Sequence, residues 1–196
     1  MATLATLAQA LCLAYASGIS LYATIALLGI AERWGWVTGL PSPLSAVGSP
    51  WIVGLAFVLT LVEFVATLVP GLASLWDGVH SFIRPPAAAA LAILLVWHAD
   101  PAVVLAAGLL GGSLGLATHA TKLGVRIAVD SSPEPVTNGV ANLGELTTVA
   151  LVMAFVWQHP FVTLGAALAV LVGAVLLVRS LWRLVRRTLL GETTAA

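Results

Sequence analysis

Asp77, His80, Ser81 and Arg84 stand close together in the stretch SLWDGVHSFIRPP, residues 74–86, of a chain in which only 8% of residues are charged. Spacings of three, four and seven bring their side chains to one face of a helix, with Leu72, Leu75, Val79, Phe82 and Ile83 on the other. A carboxylate, an imidazole and a guanidinium on one face can exchange protons, hold an anion or pair with opposite charges. The stretch THATKLGVR repeats the theme, because His119, Lys122 and Arg126 have the same three-then-four spacing. Two further carboxylates, Glu63 and Glu145, lie inside apolar runs. Thr60 and Thr67 accompany the first at helical spacing, and Asn138 and Asn142 the second.

The elements that position these residues follow from composition. The hydrophobic fraction is 60%, above the roughly 45–50% of soluble domains, and several apolar runs approach the roughly 20 residues that cross a bilayer. The sequence therefore predicts an all-α integral membrane protein, a bundle of about six transmembrane helices with some kinked or broken, forming a single domain over 1–196. The expected crossings are 4–30, 51–68, 72–97, 102–125, 138–157 and 161–182, followed by a basic tail at 183–196. Ser17-Gly18 marks a weak point in the first, Pro70-Gly71 ends the second, and VDSSPEPVT separates the fourth from the fifth. Arg179, Arg183, Arg186 and Arg187 put the tail in the cytoplasm by the positive-inside rule. Counting back places Arg84, Lys122 and Arg126 on the same side and only Arg33 opposite, so both termini are expected inside. Trp34, Trp36, Trp51, Trp97 and Trp157 suit an interfacial belt. The N-terminal MATLATLAQA has no basic segment, so no cleavable signal is read, and the single Cys12 forms no disulfide within the chain.

An ionised carboxylate at mid-bilayer costs roughly 2.5–3.5 kcal/mol, so Glu63 and Glu145 must face the bundle interior or water. A structural polar contact rarely requires an ionisable group, which favours a functional role for both, with a protonated glutamate donating one hydrogen bond as the bland alternative. The Ser17, Ser20 and Thr24 stripe reads instead as interhelical hydrogen bonding.

For 72–84, a surface-lying amphipathic helix competes with a crossing. Residues 87–97 alone span about 17 Å, short of a hydrocarbon core of roughly 30 Å, which favours one proline-kinked crossing through Pro85-Pro86. If it forms an antiparallel hairpin with the next helix about Asp100-Pro101, Asp77 faces Lys122 and His80 faces His119. Such buried opposite charges offset much of each other's desolvation.

Known chemical motifs are missing. The chain has no H-E-x-x-H, paired-cysteine, EF-hand, G-x-S-x-G, Walker or dinucleotide pattern. His80, His119 and Asp77 are weak metal-ligand candidates that match ligand preferences only loosely, and the sequence leaves the cofactor open. GLLGGSLG at 108–115 reads as close helix packing rather than a phosphate loop. Balanced charge, with Lys plus Arg and Asp plus Glu at 8 each, gives no sign of a nucleic-acid partner.

The blocks SGISLYATIALLGIAERWG, EFVATLVPGLASLWDGVHSFIRPPA and HATKLGVRIAVDSSPEPVTN resemble the bacterial membrane proteins grouped as domain-of-unknown-function family 4126. The resemblance covers most of the chain and implies a small multi-spanning helical protein of the bacterial inner membrane. It supplies no catalytic residues. An acidic residue often follows the family's counterpart of Glu145, where Leu146 stands here, and a basic residue near Thr67 or Leu68 is missing.

These readings converge on a small transporter or channel-like protein. Glu63, Glu145, Asn138 and Asn142 would line a proton- or cation-coupled pathway, and Asp77, His80, Arg84, His119, Lys122 and Arg126 its cytoplasmic mouth. A membrane-embedded enzyme or a protein binding an anionic lipid head group through the basic cluster is the alternative, and a structural membrane partner without substrate is a third. The expected partners are the lipid bilayer and a small ion or anionic lipid. A homo-oligomer also enters, because 196 residues leave little room for a pathway within one protomer.

Overall fold

The structure is a computed structural model that describes residues 2–69, 71–130 and 135–189, with side chains over 3–69, 71–127 and 136–183. The connection at 131–134, the tail residues 190–196 and the side chains of Arg186 and Arg187 lie outside the described residues. Helices and connecting turns account for the described chain: α1 (Ala2–Ile19), α2 (Leu21–Arg33), α3 (Ser42–Ser45) with a 3-10 turn (Ala46–Gly48), α4 (Pro50–Ala66), α5 (Leu72–Leu95), α6 (Pro101–Asp130), α7 (Pro135–Phe155) and α8 (Pro160–Leu189). Four of these helices open on proline, whose fixed φ suits the first turn and whose missing N–H has no helical partner there anyway. Asp100 caps α6 by accepting from the Ala102 N–H at 2.8 Å.

Among the described residues, three helices are long and apolar enough to cross a membrane, at Leu72–Leu95, Pro101–Ile127 and Pro160–Arg183. The bent pair Ser42–Gly48 and Pro50–Ala66, with 65° between its members, raises the number to four if it is one broken span. The expected first crossing is divided in two. It breaks at Ser20, whose backbone is extended at φ −144 and ψ 104, and not at Ser17-Gly18. α5 runs through Pro85 and Pro86 as one helix, so residues 72–84 continue the apolar segment and do not form a separate surface helix.

The bundle has its polarity inside out. Trp51 is 87% exposed, Phe82 84% and Val162 72%, while Arg84 is 0% and Asp77 1%. Contiguous exposed apolar surface with charges inside is the arrangement that lipid, and not water, stabilises. α1 sits at the centre, with every residue from Cys12 to Ser20 buried and α5, α6, α7 and α8 packed around it.

Small residues make the α1–α5–α6 contact possible. A Cβ on Gly18 would come 2.6 Å from the Gly115 carbonyl oxygen, one on Gly111 2.6 Å from the Ala92 Cβ, and one on Gly115 would collide with Ala88. The 108–115 stretch is thus a packing surface, as its small side chains imply. Gly115→Val is expected to destabilise by about 1–3 kcal/mol through overpacking, read as a fall in the melting temperature of purified protein. Gly144→Ala, where a Cβ meets nothing within 4 Å, should melt like the parent. Equal melting of Gly115→Val and parent would contradict this packing.

Candidate functional site: a buried charge network

Three carboxylates (Glu63, Asp77, Glu145) and three cations (Arg84, Lys122, Arg126) meet between α4, α5, α6 and α7, so the network has no formal net charge. Arg84 pairs with Glu63 and lies 3.7 Å from the Asp77 carboxylate. Lys122 Nζ is 3.1 Å from Glu63 Oε1, 2.9 Å from Glu145 Oε2 and 3.8 Å from Asp77 Oδ1. Arg126 reaches Glu145 at 3.3 Å, stands 3.9 Å from Asp77 Oδ2 and donates to the Asn142 side-chain oxygen. Each charge therefore has at least two opposite neighbours, the condition under which buried ions are tolerated.

Backbone carbonyls at two helix ends complete it. The break at Ser20 ends α1 at Ile19, whose carbonyl oxygen accepts from Lys122 Nζ at 3.0 Å. α4 ends at Ala66, and the Thr67 carbonyl oxygen accepts from Arg126 at 3.1 Å. The last carbonyls of a helix have no partner inside it and carry partial negative charge, so cations belong there. Ser20 also donates its hydroxyl to Glu63 Oε2 at 2.9 Å, and Thr67 donates to Asn142 Oδ1 at 3.1 Å. Asn142 donates in turn to the Phe64 carbonyl oxygen at 3.1 Å.

The two histidines have defined hydrogen-bonding roles. Arg84 can only donate, so His119 Nδ1, 3.0 Å from it, accepts. His119 Nε2 then donates to the Ser81 oxygen at 3.0 Å, while the Ser81 hydroxyl donates to the Asp77 carbonyl oxygen. His80 Nδ1 lies 2.7 Å from the Trp76 carbonyl oxygen and must donate, which leaves Nε2 to accept from Tyr22 OH at 3.0 Å. Trp76 stacks on the His80 ring at 4.5 Å and Tyr22 meets it edge-on at 5.5 Å.

The sequence separates a glutamate-lined pathway from a cytoplasmic cluster; in the structure they are one network. Asp77 and Lys122 meet across the α5–α6 hairpin at 3.8 Å. His80 and His119 are bonded to different partners, the first to Tyr22 and Trp76 and the second to Ser81 and Arg84. Asn138 is wholly buried, and its amide has no hydrogen-bond partner among the described residues. Among the described residues no group of three His, Cys, Asp or Glu side chains is placed to hold a metal ion, the trio His80, His119 and Asp77 included. Sequence reasoning missed Tyr22, Trp76 and the Ile19 and Thr67 carbonyls. The only signals were Trp76 one turn before His80 and the small-residue cluster before Tyr22.

The fold and site define an all-α membrane protein whose interior holds a charge-balanced ionic network. The chain belongs to the family described as Domain of unknown function (DUF4126), whose model matches residues 7–180. No curated protein and no solved structure matches it.

Proposed function

We propose that the chain is a small transporter or channel-like protein of the bacterial cytoplasmic membrane, with a proton- or cation-coupled pathway carried by Glu63 and Glu145. It crosses several times, while α1 and α2 turn back at Ser20, so that Thr6 and Gln9 meet residues 36–41, Leu95 and Trp157 at one end of the bundle. Arg179 and Arg183 at the end of α8 favour a cytoplasmic C-terminus. α1 runs the same way as α8, with Cys12 beside Pro160 and Ile19 beside Ala174, and so starts from the opposite side, against the expected cytoplasmic N-terminus.

The observation that carries this reading is the surroundings of Lys122. Its ammonium group lies among Ile19 O at 3.0 Å, Glu63 Oε1 at 3.1 Å, Glu145 Oε2 at 2.9 Å and Asp77 Oδ1 at 3.8 Å. Such an oxygen cage at a helix break is what a mobile cation would use, and carbonyls freed at broken helices coordinate the coupling ion in many secondary transporters. Lys122 acts as a tethered cation that a proton or small ion displaces by competing for its carboxylates. Glu145, with 20% of its side chain exposed against 7% for Glu63, is the point of entry.

In proteoliposomes carrying an internal pH dye and an imposed cation gradient, the parent should dissipate the gradient and Glu145→Gln should not, while eluting and melting as a folded protein. Unchanged flux in Glu145→Gln refutes the mechanism. The second reading, a binder of anionic lipid head groups, is favoured by Lys122 and Thr121 lining an opening beside the network.

A further inference from the structure

An apolar crevice runs between α7 and α8, with α1 beneath it. One part, of about 420 Å3, is walled by Leu151, Phe155, Val162, Ala166 and Val170. The next, of about 250 Å3, reaches Thr118, Thr121, Lys122 and Glu145, and Tyr15, Thr148 and Val170 line both. Along α8 the walls extend from Val162 to Ala174, about 18 Å at 1.5 Å per residue. One leaflet of hydrocarbon is roughly half of 30 Å, so the crevice matches one acyl chain in length.

The crevice is open where two neighbouring helices would ordinarily close. α8 packs chiefly on α1 and α6, and a Cβ added at Gly144 or Gly165 would meet nothing within 4 Å. Leu151, Phe155, Val162 and Val170 are each half or more exposed, so the opening faces the lipid. Tyr15 lies at the junction of the two parts, only 2% exposed, and its hydroxyl makes no hydrogen bond with any described residue. The hydroxyl therefore opens onto the crevice and is free to donate to a ligand oxygen at the junction.

We propose that this crevice binds a single-chain amphiphile with an anionic head. The chain lies along α8, the carboxylate or phosphate meets Lys122 and the flanking threonines, and Tyr15 donates its hydroxyl to an oxygen of the head. Lys122 exchanges Glu145 for the ligand, and Arg126, 3.3 Å from Glu145, retains that carboxylate. The site stands on the crevice and Tyr15, so it survives failure of the transport reading.

Binding of palmitate, of a monoacylglycerol phosphate of equal chain length and of hexadecanol to the protein in phosphatidylcholine nanodiscs tests it. At least one anionic probe should bind tenfold or more tightly than hexadecanol, and the tighter one identifies the head. Ala166→Trp, which fills the apolar part from an exposed position, should weaken that binding tenfold or more, with Val162→Trp replacing it if the first variant misfolds. Tyr15→Phe should weaken it about threefold to tenfold, the worth of one hydrogen bond. Equal binding by parent and tryptophan variant, or of hexadecanol and both anions, overturns the proposal. A change of oligomeric state in the tryptophan variant with palmitate binding intact assigns the crevice to a second copy of the chain, and also overturns it.

Discussion

Arg84→Met is expected to remove most of the folded protein, the largest loss that any single change in this chain should produce. The guanidinium is fully buried, pairs with Glu63, stands 3.7 Å from Asp77 and donates to His119 Nδ1. Methionine fills similar space but leaves the Glu63 carboxylate with one fewer cation and His119 without its donor. Breaking a buried ion pair by deleting one partner costs about 3–5 kcal/mol, because the remaining charge stays desolvated. That is a large fraction of a typical stability of about 5–15 kcal/mol. Pairing it with Glu63→Gln should restore much of the loss, since the glutamine keeps an acceptor for Ser20 without the stranded charge. Thermal melting of the purified single and double variants measures both effects. If Arg84→Met melts within a degree or two of the parent, the pair does not hold the bundle together. If the double variant melts below the single one, Glu63 is not the group that Arg84 neutralises.

Arg84 also shows where sequence reasoning stops. Its face on α5 was legible, because three- and four-residue spacings fix direction around a helix whatever the tertiary context. The Asp77–Lys122 contact was legible too, since an antiparallel hairpin about Asp100-Pro101 places residues equidistant from the turn at one level. Equal level does not settle which way a ring turns. His80 reaches Tyr22, a partner set by how α2 lies against the hairpin, and His119 reaches across the hairpin to Arg84 instead of His80. The Glu63 partner of Arg84 depends in the same way on the placement of α4, which no local spacing records. The break at Ser20 was displaced from the expected Ser17-Gly18 because Gly18 lies within a regular helix packed so closely on Gly115 that an added Cβ would come 3.1 Å from the Gly115 Cα. Serine one turn later has an extended backbone and uses its hydroxyl on Glu63. The count of crossings was the least legible feature, because the expected first crossing turns back at Ser20 and a helix as polar in its first half as α7 does not present one long apolar run.

Lys122→Met should convert the network from a closed set of pairs into one that takes up a cation. The change leaves Glu63, Asp77 and Glu145 facing only Arg84 and Arg126, one negative charge in excess, and empties the space bounded by the Ile19 carbonyl and the Glu145 carboxylate. A buried excess charge is costly, so the folded variant should bind whatever small cation is offered, a proton included, more tightly than the unfolded chain does. Binding to the folded state alone stabilises it by about 2.7 kcal/mol when the ligand is at a hundred times its dissociation constant. The sign follows for acid: a proton held by the folded variant and released on unfolding makes stability rise as pH falls. Melting should therefore be measured in sodium, potassium and choline chloride at matched ionic strength, and again from mildly alkaline to mildly acidic buffer. The parent, whose Lys122 already fills the place, should melt alike in the three salts. The variant should melt lowest in choline at alkaline pH, and recover with sodium, potassium or acid. A variant no more sensitive to these than the parent means that the oxygen cage around Lys122 is a structural clasp, and the cation-coupled reading of the site falls with it.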